Sequence, residues 1–389
     1  MNAALQAIIE QQKTILSENR RHFRQHPELS GVEYETQKEI QRLLSGMGIP
    51  HQVAGKTGVL AEIQGGRPGK KIAIRADIDA LPVPDECGQP YASVNPGICH
   101  ACGHDAHTAI VLGVARALQA MKDELPGSYR FIFQPSEEKL PGGALDMIAD
   151  GALANVDHVI GSHVWQTLEA GRISMAIGPM MASADQFIIK IKGRGGHSSM
   201  PYQAIDPIEI GAHLVLALKS LVTNNVAAQE TTVLAVGIFS GGTAMNIIPE
   251  CVTLEGTVRC VTQATREKLA ARIEELTKGL CQSYGADCEV KIVSGYPAVQ
   301  NDRATTETVL ACARQALGEK QVEIIPPVMG GEDFAYYQQK VPGTFVFIGA
   351  GNGQPETSFP HHHPRFDIDE KALVTGVITL AQAAVALAE

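Results

Sequence analysis

One feature narrows the folds open to this chain more than any other: its hydrophobic rhythm changes in the middle and then changes back. Up to His163, helical and strand-like stretches alternate. Residues 3–23 and 36–47 have helical periodicity, 58–63 and 70–76 are short apolar runs, and 129–134 and 158–163 read as strands. Residues 108–121 (TAIVLGVARALQAM) read as an apolar helix with Asp105 as its cap. Such alternation implies a largely parallel sheet covered by helices on both faces. From Asp185 the order becomes strand, helix, strand, strand, helix, strand, over 185–192, 206–221, 231–239, 252–259, 265–284 and 288–293. This is the ferredoxin-like βαββαβ order. The α/β rhythm then returns, with helices at 305–316 and 332–339, strands at 322–325 and 344–349, and a C-terminal helix. The economical reading is an α/β domain with a mostly parallel sheet flanked by helices, built from residues 1–181 and 294–389. A ferredoxin-like insertion, 182–293, interrupts it. Three consecutive domains fit less well, because 294–389 is too short for a parallel sheet of its own.

Composition limits the partners. Of 389 residues, 44% are hydrophobic and 19% charged, which suits a packed globular chain rather than a disordered one. Lys and Arg number 32 against 42 Asp and Glu, for a net charge of −10. No basic run exceeds pairs such as Arg20-Arg21 and Lys70-Lys71, so neither nucleic acid nor an anionic membrane is an expected partner. The first twenty residues read as an exposed amphipathic helix, not an export signal, and a cytoplasmic location is expected. The most apolar stretch, 372–388, is diluted by Thr375, Thr379 and Gln382 and is expected to be a buried helix rather than a membrane span. Eight irregularly spaced cysteines read as small buried hydrophobes, not as a disulfide scaffold.

Four places carry chemistry. Residues 98–108, ICHACGHDAHT, hold three His, two Cys and an Asp. Cys102 and His104 are two apart, so on an extended segment both point the same way, and thiolate with imidazole makes half a site for a divalent cation. Residues 134–143, QPSEEKLPGG, place Glu137 and Glu138 at the end of an apolar strand, where α/β sheets carry their sites. On an extended chain adjacent side chains point to opposite sides, so one carboxylate can ligate a metal while the other carries a proton. His163 ends the strand HVIGSH, and His361-His362-His363 precede the last helix. Together these supply one thiolate, one carboxylate and three imidazoles. That is too many donors for one tetrahedral ion and enough for two ions sharing a bridge.

These residues sit within a longer series of motifs. They include RRHFRQHPELSGVEYET (20–36), RADIDALPV (75–83), HACGHDAHT, QPSEE, GRGGHSSMP (193–201), GGTAMNIIP (241–249), LEGTVR (254–259), MGGEDF (329–334) and HHHPRFDIDE (361–370). The sequence resembles the dinuclear metallo-amidohydrolase superfamily of aminoacylases and carboxypeptidase-G-type peptidases. Its nearest branch is that of bacterial hippurate hydrolases, N-acyl-amino-acid amidohydrolases and plant auxin-conjugate amidohydrolases. The resemblance implies Cys102, His104, Glu138, His163 and His362 as ligands of two divalent ions. Zinc or manganese is expected first, and cobalt and nickel also suit the donors. His362 is chosen over its neighbours because Pro364 and Phe366 match the register of the family's His-x-Pro-x-Phe. Glu137 matches the general base and His197 the insertion-domain histidine that reaches the reacting carbonyl. Asn246 and Arg259 lie in the insertion as substrate-binding candidates, and Asp77 and Asp79 as residues that orient ligands. The chemistry implied is hydrolysis of N-acyl-L-amino acids, of the N-acetyl or N-benzoyl type, by a metal-bridged hydroxide with Glu137 moving the proton. The inserted domain would serve as a lid and as the interface of a homodimer.

Other readings compete. A dipeptidase or carboxypeptidase would use the same scaffold and bond. A cysteine hydrolase pairing Cys102 with His104 leaves Glu137, Glu138, His163 and His362 unexplained. A binding protein on a retired enzyme scaffold has no use for a complete set of ligands and base. Lys139-Leu140-Pro141, Gln166 and Gly331 depart from the family pattern and bear on the shape of the acyl pocket.

Overall fold

The computed structural model describes residues 2–389. Its chain divides into two compact units. One takes in the chain up to Gly178 with Gln300–Pro326 and Asp333–Glu389, and the other is Pro179–Val299 with Pro327–Glu332.

The first unit is built on an eight-stranded sheet. Across it lie His51–Ala54, Gly58–Gln64, Pro126–Gln134, Arg67–Asp77, His158–Glu169, Gly343–Gly351, Ile173–Met175 and Val322–Ile324. The sheet is mixed, where a mostly parallel one was expected. The four strands from Pro126–Gln134 to Gly343–Gly351 run parallel, but the His51–Ala54 hairpin and Ile173–Met175 pair antiparallel. The central strands are near-continuous apolar runs, as burial on both faces requires. Helices His104–Ala120, Arg303–Leu317 and Lys371–Ala388 pack together and against the sheet. Lys371–Ala388 is long and apolar enough to cross a membrane by composition alone, yet 83% of it is buried inside the protein, as a core helix is. All eight cysteines are free.

Two local expectations change. The first helix is broken at Gln11–Gln12 into Asn2–Glu10 and Lys13–Gln25. The apolar helix starts at His104, not at 108, and Gly103 rather than Asp105 precedes it. Asp105 lies inside the first turn and accepts from buried Arg20 Nε at 2.8 Å, so a long-range ion pair has claimed the side chain read as a cap.

The second unit has a four-stranded antiparallel sheet in the order Thr232–Gly241, Cys251–Cys260, Asp185–Lys192, Asp287–Val293. Phe187, Ile189 and Ile191 alternate inward along their strand. They meet Ile210, Leu214, Leu218 and Leu221 of helix Pro207–Asn225 and Leu269 and Ile273 of helix Gln263–Ser283. Periods of two and of three to four thus fill one core.

Candidate active site

The parallel register of the first unit sets the site at the carboxyl ends of its strands, where side chains are free of the ladder. Asp77 ends one strand and lies level with Gln134, the last residue of the next; His163, expected to end its strand, instead lies within His158–Glu169, opposite Phe347. Arg75 ties the strand ends together. Its Nε donates to Gln134 Oε1 (2.9 Å), and its two terminal nitrogens to Asp77 Oδ2 and Asp333 Oδ1 (both 2.6 Å), all buried. A guanidinium buried without such partners would be costly.

Cys102 and His104 do not lie on an extended segment. Between them Gly103 sits at φ +93, and a Cβ there would come within 2.4 Å of Val164 Cγ2. This left-handed turn launches the helix and places His104 in its first position. His104 Nδ1 donates to the Asp79 carbonyl at 2.8 Å. That leaves Nε2 buried, with no hydrogen-bond partner. His163 repeats the pattern: Nδ1 donates to the Val164 carbonyl at 2.7 Å, and Nε2 accepts from the Cys102 thiol at 3.4 Å. Both rings thus turn Nε2 toward the cluster, the nitrogen through which each would bind a metal once it carries no proton.

The second strand end turns sharply. Ser136 stands at φ +56, held by its N–H to Glu33 Oε1 at 2.9 Å, and Glu138 N–H donates to Asp79 Oδ2 at 3.0 Å. This turn keeps Glu137 and Glu138 from pointing to opposite sides. Both bring an oxygen within 4.8 Å of each other and of a His104 nitrogen. Only Glu138 also joins Cys102 and His362, and its buried Oε1 has no hydrogen-bond partner. Glu137 is buried to 7% exposure.

The three-histidine run resolves by geometry. His362 is left-handed at φ +67, its N–H donates to the Ala101 carbonyl at 2.8 Å, and its Nε2 lies 3.4 Å from Glu138 Oε1. His361 turns the other way and donates Nε2 to the Val164 carbonyl, while His363 stacks on Phe359. Strained non-glycine residues at 136 and 362 flank the cluster, as strain at functional sites does.

The electrostatics favour a cation. Burial lowers the His104 pKa, but Asp77, Asp79 and Glu138 outweigh it and push it up to about 10. That proton marks surplus negative potential which a divalent ion can satisfy instead. Burial, with His107 and His361 nearby, holds His163 well below the usual imidazole range, hence neutral. Burial and the charges of Glu138 and Glu137 push the Cys102 thiol well up, opposite to what a cysteine nucleophile needs. The thiol also bonds His163, not the His104 that a Cys102–His104 pair would require. Buried ligand atoms without a hydrogen-bond partner among the described residues, a neutral imidazole at His163 and surplus carboxylate around His104 together fit divalent metal.

The remaining candidates lie in the second unit. His197 pairs with Ile247 in a two-residue ladder and is exposed. Its Nδ1 accepts from the Ser199 N–H at 3.2 Å, which leaves the ring proton on Nε2. His197 and Asn246 line one open pocket of about 610 Å³ with Gly242 and Thr243. Arg259 is not in that pocket's lining; one of its terminal nitrogens donates to the Met329 carbonyl at 2.9 Å.

Several residues around the site escaped the sequence reading. Arg24 donates to the His100 and Phe366 carbonyls and to Asp85, fastening two site loops, and Glu33 accepts from Gly31, Thr57 and Ser136. Arg75 carried a signal, since a charge inside the apolar run KKIAIRAD must find a buried partner. His107 carried another, being three residues after His104 on one helix face.

Comparison with known proteins settles the class. The profile of peptidase family M20/M25/M40 matches residues 73–386. The chain belongs to that family. An N-acetylcysteine deacetylase of Bacillus subtilis is 40% identical over 385 residues, covering 97% of each chain. An N-acyl-L-amino acid amidohydrolase of Geobacillus stearothermophilus is 42% identical over 298 residues, 76% of this chain and 80% of the relative. Among solved structures, the Bacillus subtilis YXEP protein, described as a dinuclear metal-binding peptidase of the M20 family, superposes with a TM-score of 0.84. It is 38% identical, with 97% of this chain and 99% of that one covered. The family member described here is a hydrolase of amide bonds of the metal-dependent type.

Proposed function

We propose that this enzyme hydrolyses N-acyl-L-amino acids of the N-acetyl or N-benzoyl type to a carboxylate and a free amino acid. The observation that carries the reading is that Cys102, His104 and His163 form one close group of ligand atoms and Cys102, Glu138 and His362 another, and that His104 Nε2 and Glu138 Oε1 are buried without a hydrogen-bond partner among the described residues. These five residues would hold two divalent ions. Cys102 belongs both with His104 and His163 and with Glu138 and His362, so its thiolate would serve either group. The donor set suits zinc or manganese, then cobalt or nickel. Relatives that bear the names deacetylase, amidohydrolase and dinuclear metal-binding peptidase support the same reading.

When bound, two such ions supply Lewis acidity that makes water a nucleophile at neutral pH and polarises an amide carbonyl. Glu137 takes the proton of the attacking water and hands it to the leaving nitrogen, which cannot depart as an amide anion. Buried beside His104 and Glu138, it can do both without moving far. His197, with its proton on Nε2, is assigned the hydrogen bond to the developing oxyanion. Asn246 and Arg259 are assigned to the substrate carboxylate, for which a guanidinium fork is suited. The second unit is assigned the roles of a ferredoxin-like lid and of dimer interface.

A second reading, cleavage of dipeptides, is favoured by the peptidase description of the solved relative. One screen separates them: N-acyl amino acids and dipeptides, each assayed after metal removal and after re-addition. N-acyl substrates should be cleaved faster, and activity should vanish with chelator and return with metal. Faster cleavage of dipeptides would establish the second reading. Activity that survives chelation would refute both.

A further inference from the structure

The backbone of Val164, next to His163, is held at both of its flanking peptides. Its N–H donates to His107 Nε2 at 2.9 Å. Its carbonyl accepts from His163 Nδ1 at 2.7 Å and from His361 Nε2 at 3.0 Å. A backbone N–H can only donate, so His107 Nε2 carries a lone pair and the ring proton is on Nδ1. That proton goes to Asp77 Oδ1 at 2.6 Å, and Arg75 holds the other Asp77 oxygen at 2.6 Å. Both His107 nitrogens are thereby spent. Although His107 lies close to Asp77 and His104, it has no lone pair left for a metal.

A carbonyl can only accept, so His163 and His361 both donate to it. The His163 ring is also wedged between the other two. Its centroid is 4.5 Å from that of His107 at 68° and 5.0 Å from that of His361 at 77°. An apolar residue at 361 could still pack on Trp165 and Phe366, whose rings lie 5.0 and 4.9 Å away, but it could not donate to Val164.

We propose that His107 and His361 are positioning residues that clamp the Val164 backbone from its two flanking peptides, and through it aim the Nε2 lone pair of His163 at the metal cluster. The inference deepens the metal-site reading above and rests on it. Outer partners of this sort are typically worth about 10–100-fold in metal affinity.

The test compares full-length protein with His361→Leu, His361→Gln, His107→Leu and His107→Gln. Glutamine offers one donor and one acceptor at similar reach, and leucine offers neither. Metal-stripped protein is titrated with Co²⁺ against a chromophoric chelator, and the ring ¹⁵N signals of metal-free, histidine-labelled protein are recorded in parallel. The leucine variants should lose about 10–100-fold in Co²⁺ affinity. His163 should lose its single Nδ1–H signature in them, and the glutamine variants should recover most of both. Folded leucine variants with unchanged affinity and an unchanged His163 signature would overturn the proposal. Should His107→Leu not fold, the half-buried loop residue His361 still decides it through its own pair. Should the unsubstituted protein take up no Co²⁺, the metal-site reading falls, while the ¹⁵N comparison still decides the clamp.

Discussion

Glu137 and Glu138 share one chemistry and differ only in surroundings. Glu138 is pinned through its N–H to Asp79 and turns its unpartnered oxygen toward Cys102 and His362. Glu137 shares the His104 neighbourhood but not that group. Replacing Glu137 by Gln keeps the shape and removes the carboxylate proposed to move the proton. Turnover should fall by about 10²–10⁴ with both metals retained. Glu138→Gln should instead lose metal, with partial recovery in excess metal. Elemental analysis beside steady-state kinetics reads both, and the opposite pattern would reverse the two roles. This scale also shows where residue type stops being informative. Three consecutive histidines are equivalent as letters; the register of Pro364 and Phe366 singles out His362, and its left-handed backbone and bond to Ala101 are the local geometry that turns it toward Glu138. The adjacent glutamates could not be assigned from alternation either, because the positive φ at Ser136 abolishes the extended geometry that alternation assumes.

Elements meet the site at their ends, and the ends can be tested. Gly103 joins the Cys102 loop to helix His104–Ala120, at a φ of +93 with Val164 pressed against the missing Cβ. Gly103→Ala should destabilise the protein by about 1–3 kcal/mol and weaken metal retention, because relief of the clash must shift Val164 or His104. A urea midpoint and metal content equal to the parent's would refute this. On the far side of the same unit, Asp302 caps helix Arg303–Leu317 by accepting from Thr305 N–H at 2.9 Å and Thr305 Oγ1 at 2.7 Å. The Thr305 backbone bond, together with its hydroxyl, holds the Asp302 carboxyl below the usual range. Its folded pKa is therefore below its unfolded one. The cap contributes fully above the unfolded value, near 3.9, and is lost as pH falls through the folded value. Asp302→Ala should cost about 1 kcal/mol at pH 7. The gap should narrow as acid is added, and a gap in urea midpoints that stays constant with pH would show that the charge is irrelevant.

At the scale of the whole molecule, the change of rhythm was legible because long elements repeat a pattern. Phe187, Ile189 and Ile191 alternate, and Ile210, Leu214, Leu218 and Leu221 recur at helical spacing, so the strand and helix of the second core could be read without coordinates. Short strands such as Ile173–Met175 carry no period, and they are among those that make the large sheet mixed rather than mostly parallel. Long-range partners were equally hidden: nothing near Arg75 in the chain points to Asp333, 258 residues away. The proposed two-copy assembly rests on an edge that needs covering. Strand Thr232–Gly241 is such an edge, paired among the described residues only with Cys251–Cys260. It exposes Ile238 at 50% and Phe239 at 42%, and helix Pro207–Asn225 exposes Leu216 at 68%. An apolar edge of this kind invites pairing with its own copy about a two-fold axis. Light scattering should therefore give twice 41.5 kDa for the parent protein. Ile238→Lys places a charge on the edge without entering the core, and should give a folded chain of 41.5 kDa. A parent that is monomeric at working concentration would refute the dimer, and a dimer indifferent to Ile238→Lys would move the interface off this strand.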